Sequence, residues 1–455
     1  MNYKSLALFV LSIFFIVSVQ AVELTVSQPG IYKLGDFIVS NPTGADSIIN
    51  ITSSNVILDL GGYVISQGNA TASVDGIVIN SSLTDVTVQN GTIRNVTGRG
   101  IVVNQNCSRI QVNGIVFRSC AQSGATFIGA VGNTINDCFI TGCRFYNCPT
   151  AAGSTALSLT SCLRFEVSDC VVAGSTISGG SAAVFFVQLI NCTQCTVRDT
   201  VVQGNSFAPA VSVNYVMFQD NAGTNNSFIN CIARSNNLIN GILTVFSLGG
   251  NLATVDRCQI IGNTNTGATT NCLSLSNATR TTMSQPIIMR NTGATVQGVF
   301  FTGGSASNIL TDAVVSANQG TGLTIGISFN NGSTNTVRRC ISSNNVSTGG
   351  ICAGIAFVTA ASNNCAVTDC LFSNNKGSSN ANSFGANITV GANNLFTRNV
   401  GFNNNVAAAG SAQLVGVPAG SVTTPTAPST QNINGVGTVP PGTSCLYWTN
   451  LSVAT

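Results

Sequence analysis

The stretch NCAVTDCLFSNN, residues Asn364 to Asn375, returns about thirty residues upstream as TNTVRRCISSNN and about thirty downstream as NNLFTRNVGFNN. A phrase recurring at such a spacing marks one small unit repeated along an axis, because a unit of that size cannot bury its own apolar face and must stack on copies of itself. Aligned on the Asx position in its middle, the phrase runs through Asp59, Asn90, Asn113, Asp137, Asp169, Asp199, Asn230, Arg257, Ser284, Asp312, Arg339, Asp369 and Asn399. These anchors span 340 residues in twelve intervals, a mean near 28. Before each anchor lies a short alternating run such as FEVS, CTVR or NVIL, and after it a second such as VVAGS, QIIGN or LFSNN. A third run, usually opened by Gly, separates successive pairs, as in GIVIN, ALSLT, GILTVFSL, GISFN and GIAFV. Alternation of period two is a strand signal, so each repeat carries three short strands.

Composition supports strands over helices. Charged residues make up 7% of the chain, and Glu23, Glu166, Lys4, Lys33 and Lys376 are its entire supply of Glu and Lys. A solvent-facing helix draws on those residues most. The formal charge of +3 comes from scattered Arg with no basic run, which argues against a nucleic-acid partner. There is no His, and no CxxC faces a second one, which argues against a zinc centre. The lone CTQC at Cys192 to Cys195 reads as two inward-facing thiols.

Three strands per repeat that close on themselves form one rung of a parallel β-helix. At about 4.8 Å per rung, twelve or thirteen rungs give a rod roughly 60 Å long. An Asn or Asp between strands tolerates the left-handed backbone that a tight bend requires, and stacked Asn side chains can hydrogen-bond from rung to rung. Cys follows the anchor at Cys138, Cys170, Cys231, Cys258, Cys340 and Cys370, a small apolar side chain at an inward position. The spacing places Cys138 with Cys170, Cys162 with Cys192, Cys231 with Cys258, and Cys340 with Cys370 on adjacent rungs. A rung step falls within the roughly 4.4–6.8 Å Cα separation of a disulfide, and a reduced stack packed as core is the alternative left open.

The chain opens with a targeting pattern. Lys4 supplies a positive start, LALFVLSIFFIVSV an apolar run of 14 residues, and Val19 to Ala21 a small-residue cleavage site. The mature chain is expected to begin near Val22, secreted or surface-exposed, with no integral membrane span after cleavage. Seventeen Cys suit an oxidising compartment, and the odd count leaves at least one unpaired.

The stretch SSNVILDLGGYVIS at Ser53 to Ser66, followed by GIVIN, LTDVTVQNGTI and GRGIVVN, resembles the opening coils of right-handed parallel β-helix proteins, the pectate-lyase-like superfold. VSQPGIYKLGDFIVSNPTGADSIINI before it resembles their N-terminal cap strands. The resemblance covers residues 22 to about 405 and implies the fold more than a function, since this fold hosts lyases, hydrolases, epimerases, tailspikes, adhesins and catalytically silent surface proteins. Catalytic members place a basic residue with acidic Ca²⁺ ligands, or clustered carboxylates, on the outer face of the Gly-opened strands.

Alternation here turns Ile77, Ile79, Leu157, Leu159, Ile327, Phe329, Ile355 and Phe357 inward. It leaves Val78, Ser158, Ser274, Phe300, Ser328, Ala356 and Thr389 outward, with no ionisable group among them. The charges gather beside the anchors instead. Asp137, Asp169 and Asp199 are expected at one rung position on three consecutive coils, the weak candidates for a catalytic or Ca²⁺-binding strip. The competing reading is a solvated edge where Arg and Asp neutralise one another. No other cofactor is implied.

The reading favoured is an exported, non-catalytic surface or extracellular β-helix with a structural, adhesive or glycan-contacting role. The alternative is a polysaccharide lyase or glycoside hydrolase. Its partner would be a polysaccharide or surface glycan, and a homo-oligomer is left open. Tyr215, Phe186 and Phe300 are expected as outward aromatics, and sequons such as Asn50, Asn69, Asn80, Asn191, Asn277 and Asn387 as glycosylation candidates. Residues 411–441 read as a linker, and the tail SCLYWTNLSVAT as a strap over the last rung.

Overall fold

The computed structural model describes residues 23–404, apart from 41–46, 69–72, 150–152, 179–181, 209–212, 360, 380–381, 389–393 and 403. Beyond these it describes only the strand residues 414–415, 444–445 and 448–450. The expected leader, most of the linker and Thr389 lie outside the described residues. What is described is a right-handed parallel β-solenoid of about twelve turns, with no α-helix.

One rung shows how the sequence closes a coil. The long strand Val184–Ile190 leads through Thr193 to the short strands Thr196–Arg198 and Val201–Gln203, and a further short strand, Ser206–Ala208, precedes the loop to the next long strand, Asn214–Asn221. Four corners join these segments, each turned by a single left-handed residue: Asn191 (φ 51), Gln194 (φ 56), Asp199 (φ 50) and Gly204 (φ 62). Each is followed by one buried inward side chain, here Cys192, Cys195, Thr200 and Asn205. The repeated phrase is therefore a corner dipeptide, with a residue that accepts positive φ placed before a small or polar residue that fills the corner. More than half of the non-glycine left-handed residues are Asn or Asp, the residue types for which that conformation costs least.

Parallel pairing carries every segment onto its equivalent one rung away. The long strands form one sheet and the first two short strands another, and the core lies between them. Ile77, Ile79, Leu157, Leu159, Ile327, Phe329, Ile355 and Phe357 are all at most 1% exposed. In-register stacking sets like on like, as in Phe301, Phe329 and Phe357, whose ring centroids lie 4.7 and 4.5 Å apart with nearly parallel planes. The Gly that opens many long strands also points inward: an added Cβ at Gly100 would meet the Phe117 ring at 2.5 Å. Glycine there makes room for large residues of the facing short strand.

That inward Gly position overturns one expectation. Phe186 and Tyr215 are fully buried, not outward, and pack on Phe207 at 5.4 and 4.7 Å. Two consecutive long-strand residues, Phe186 and Val187, are buried side by side, so strict alternation fails at that step. Phe300 does remain in the outward row, paired with Ser274 and Ser328.

At the C-terminal end, Ser444–Cys445 and Trp448–Asn450 pair in parallel with Leu395–Thr397 and Asn399–Phe402. These backbone bonds extend the short-strand sheet beyond the last full rung.

Candidate functional site

Two surfaces merit attention, the charged corners and the outer face of the long strands. Register settles the placement of the three candidate carboxylates. Asp169 and Asp199 are neighbours at the corner between the first two short strands, because Ser168 pairs with Arg198. Asp137 is not the third member. It lies at the preceding corner, since Phe139 pairs with Glu166, which aligns Asp137 with Arg164. The residue one rung from Asp169 at its own corner is Gly142. All four corners share one dipeptide pattern, so the Asp137–Cys138 pair and the Gly142–Cys143 pair five residues on look alike in sequence. The three-carboxylate stack does not form.

The corner charges are paired across rungs. Arg164 clamps Asp137 with Nε to Oδ1 at 2.6 Å and Nη2 to Oδ2 at 2.8 Å, and Arg109 holds Asp85 the same way at 2.7 Å for both bonds. Asp85, Arg109, Asp137 and Arg164 thus alternate in sign up one corner. Asp312, Arg339, Asp369 and Arg398 repeat the arrangement at the next corner, with bonds of 2.6–2.8 Å. In each case the guanidinium holds the partner carboxyl below its ordinary range. These side chains are a third or more exposed, so solvent screens each pair and leaves it a weak contribution to stability. The pairing accounts for Arg at the left-handed corner positions 109, 164, 339 and 398. Asp199 accepts from Arg198 Nη1 at 3.1 Å and Asn230 Nδ2 at 3.2 Å. Among the described residues, no three His, Cys, Asp or Glu side chains converge in a way that would hold a metal ion.

The outer face of the long strands has a different chemistry. Its central row runs through Val78, Val102, Thr126, Ser158, Gln188, Gln219, Ser247 and Ser274 to Phe300, Ser328 and Ala356, with Asn387 next; Ser158, Gln188 and Ser274 are 7–9% exposed, and Val102, Ser328 and Ala356 are buried. Gln188 Nε2 donates to Gln219 Oε1 at 2.8 Å, and hydroxyls flank the pair on both sides. Toward the last rungs Ile325, Ala353 and Ala356 form a small apolar cluster with Leu323 and Phe384 on this side of the sheet, separate from the core. The polar stretch is therefore central.

Sequence alternation missed one charged pair on this face, Asp75 and Arg99, which are successive members of the neighbouring row. Arg99 uses its backbone N and its Nε on Asp75 Oδ1, at 2.6 and 3.2 Å, and Nη2 on Oδ2 at 2.8 Å. Both carboxylate oxygens are held by Arg99, which fixes the carboxylate on its rung neighbour.

One carboxyl lies inside the rod. Asp220 occupies the inward position between Leu189 and Leu248 and has no exposed surface. Asn226 Nδ2 donates to its Oδ1 at 3.0 Å, while Oδ2 has no partner among the described residues. An added Cβ at Gly250 would meet Oδ2 at 2.5 Å. Burial pushes this carboxyl up to about 6. Nothing in the repeat marks the site, since Asp220 stands where neighbouring rungs carry leucine.

The family model described as "right handed beta helix region" matches residues 75–251. No curated protein sequence matches the chain. Among solved structures it is similar to the A-module of the Azotobacter vinelandii mannuronan C-5 epimerase AlgE6, at 12% identity and TM-score 0.47, covering 94% of this chain and 92% of that one. It is also similar to the tailspike of E. coli bacteriophage HK620, solved in complex with a pentasaccharide, at 13% identity and TM-score 0.40, covering 76% and 69%. Tailspike protein 3 of bacteriophage CBA120 is a third, at 12% identity and TM-score 0.39, covering 90% and 60%. At these identities the likeness is one of fold. The chain folds as a right-handed parallel β-solenoid.

Proposed function

We propose that this rod is an exported surface or extracellular protein that contacts uncharged glycan along the outer face of its long strands, without changing it. The observation that carries this reading is the central row from Thr126 to Ser274, an uninterrupted series of hydroxyl and amide side chains repeating once per rung. Such groups donate and accept hydrogen bonds to sugar hydroxyls with no charge to balance. The regular rung spacing suits an extended polymer, and Phe300 at the end of the row offers an aromatic face.

Catalysis requires more than this row supplies. Hydrolysis needs two carboxyl groups separated by about 5–9.5 Å across the bond, and elimination needs a base within hydrogen-bond reach of the proton. Asp75 and Arg99 are locked on one another, and the corner carboxylates lie on other segments of the coil. Export rests on the leader pattern in the first 21 residues.

The test is a glycan array run in parallel with reducing-sugar and unsaturated-product assays on every glycan retained. Retention of a neutral glycan with no new product supports the reading. Any product, or retention confined to polyanionic glycans, overturns it.

A further inference from the structure

The sixteen described cysteines are all buried thiols, and the register shows how they are arranged. Ten of them form five adjacent-rung pairs at matching corners: Cys120 with Cys148, Cys143 with Cys170, Cys162 with Cys192, Cys231 with Cys258, and Cys340 with Cys370. Cys138 and Cys170, expected together from spacing, sit at different corners. Cys138 aligns with Phe165, and Cys143 is the neighbour of Cys170. The two members of each pair hold one inward position on adjacent rungs, and in two pairs a backbone N faces the partner's sulfur, Cys120 to Cys148 at 3.1 Å and Cys340 to Cys370 at 3.4 Å. Cys192 is the rung neighbour of Cys162, and Cys195 at the next corner of its own rung brings its sulfur to 3.5 Å from Cys162 O.

We propose that these five pairs are disulfide sites, and that Cys192, placed between Cys162 and Cys195, is a branch point at which one bridge can pass between a cross-rung and a within-rung partner. Matching corners one rung apart are separated by about 4.8 Å, inside the ~4.4–6.8 Å Cα range that a disulfide spans. Both side chains of a pair project into the same corner volume. The oxidant is a small disulfide such as oxidised glutathione. Its S–S bond is broken by one Cys thiolate to give a mixed disulfide, and the second Cys displaces the glutathione thiolate. Two thiol protons are released, two electrons pass to the oxidant, and two glutathione thiols leave for each protein S–S bond formed. At Cys192 an existing bond to Cys162 is attacked by the Cys195 thiolate, which frees Cys162 and consumes no further oxidant.

The finished rod resists this chemistry. Every paired cysteine is at most 2% exposed, burial raises the Cys162 and Cys231 thiols, and a thiol sealed from water is out of reach of a disulfide oxidant. Bridging therefore belongs to assembly, when a rung has paired on one side and its corners are still open.

The experiment refolds the full, reduced chain with reduced and oxidised glutathione, then denatures it without reductant, alkylates it and maps linked peptides by mass spectrometry. The expected result is linkage within the five pairs. Alkylated thiols fall by two per bridge, to seven of the seventeen cysteines if all five close. Cys195→Ala should give the Cys162–Cys192 link alone, whereas Cys192→Ala should leave Cys162 and Cys195 both alkylated. Should Cys192→Ala fail to fold, Cys162→Ala provides the same test, with Cys192 then linked to Cys195. Seventeen alkylated thiols in protein refolded under oxidant, or bridges other than Cys192 with Cys195 that join cysteines at different corners, such as Cys138 with Cys170, would overturn the proposal.

Discussion

At the corner after the second short strand, every inward position from Asn205 to Asn404 is asparagine: Asn205, Asn236, Asn263, Asn291, Asn318, Asn345, Asn375 and Asn404, each at most 1% exposed. At the corner before it, the equivalent positions are Cys143, Cys170, Thr200, Cys231, Cys258, Pro286, Ala313, Cys340, Cys370 and Asn399. Both corners turn the same way, and each must find partners for the backbone of a residue sealed from water. In the amide corner, Asn291 shows the solution. Its Nδ2 donates to Ile260 O at 3.0 Å and to Asn318 Oδ1 at 3.0 Å, and its Oδ1 accepts from the backbone N and the Nδ2 of Asn263, both at 3.0 Å. All four hydrogen-bonding positions of the amide are used. In the thiol corner, sulfur reaches the carbonyl of the preceding rung at 3.3–4.0 Å, as from Cys231 to Val197 O and from Cys170 to Ile140 O, and sulfur is a weak donor and a weak acceptor. The same bend is thus held by a polar ladder in one place and by packing, open to covalent linkage, in the other.

The comparison is broken most severely at the middle of the amide ladder. Asn291→Ala strips the acceptor from the backbone N and Nδ2 of Asn263 and the donor from Ile260 O in a site without water. At about 1–3 kcal/mol for each orphaned group, the loss should be about 3–5 kcal/mol by denaturant midpoint. A loss under 1 kcal/mol would show that the ladder is incidental.

Asp220 comes next, because it disturbs the thiol-rich half by borrowing the corner amide Asn226. Its folded carboxyl titrates near 6 against an ordinary 3.8, so the folded state holds the proton more tightly. Its stabilising contribution is complete below pH 4 and is lost as the pH rises through 6, by about 3 kcal/mol in all. Asp220→Asn should remove this slope, as read from unfolding free energies between pH 4 and 8. The corner Asp–Arg pairs run the opposite way: their carboxyls are depressed, so what they contribute is present at neutral pH and disappears in acid.

A thiol corner should be more forgiving. In reduced protein, Cys258→Ala removes one small buried group and no strong hydrogen bond, a cost of about 1 kcal/mol. If it cost as much as Asn291→Ala, the distinction between the corners would collapse. Arg339→Gln, which unclamps the exposed Asp312, should shift the denaturant midpoint least of all, and less still in high salt.

Much of this architecture was legible in the chain, for identifiable reasons. Repetition near 28 residues and alternating runs specify stacked short strands, and the eight inward residues from Ile77 to Phe357 fall where alternation puts them. The corner pattern was half visible, since the Cys after the Asx was recognised as inward. The Asn pairs that end each phrase, such as Asn344–Asn345 and Asn374–Asn375, hold two roles that sequence alone merges: a left-handed residue and a ladder amide. Four corners with one dipeptide pattern also defeat spacing arguments, which is why Asp137 and Cys138 were assigned to the wrong corner. Asp220 left no trace, because a single buried carboxyl in a leucine row has no period. The pair of Asp75 and Arg99 was hidden by the double inward step at the start of the long strand, which shifts outward positions by one.

Hydrogen exchange on the full reduced chain tests the central claim, that corner chemistry decides how firmly each coil is closed. The backbone N–H groups of Asn236, Asn263, Asn291 and Asn318 donate to the amide oxygen one rung on at 3.0–3.2 Å, whereas that of Cys340 faces sulfur at 3.4 Å. The account predicts that the asparagine corners exchange as slowly as the central strands and that the thiol corners exchange measurably faster. Equal protection at the two, or faster exchange at the asparagines, would contradict it.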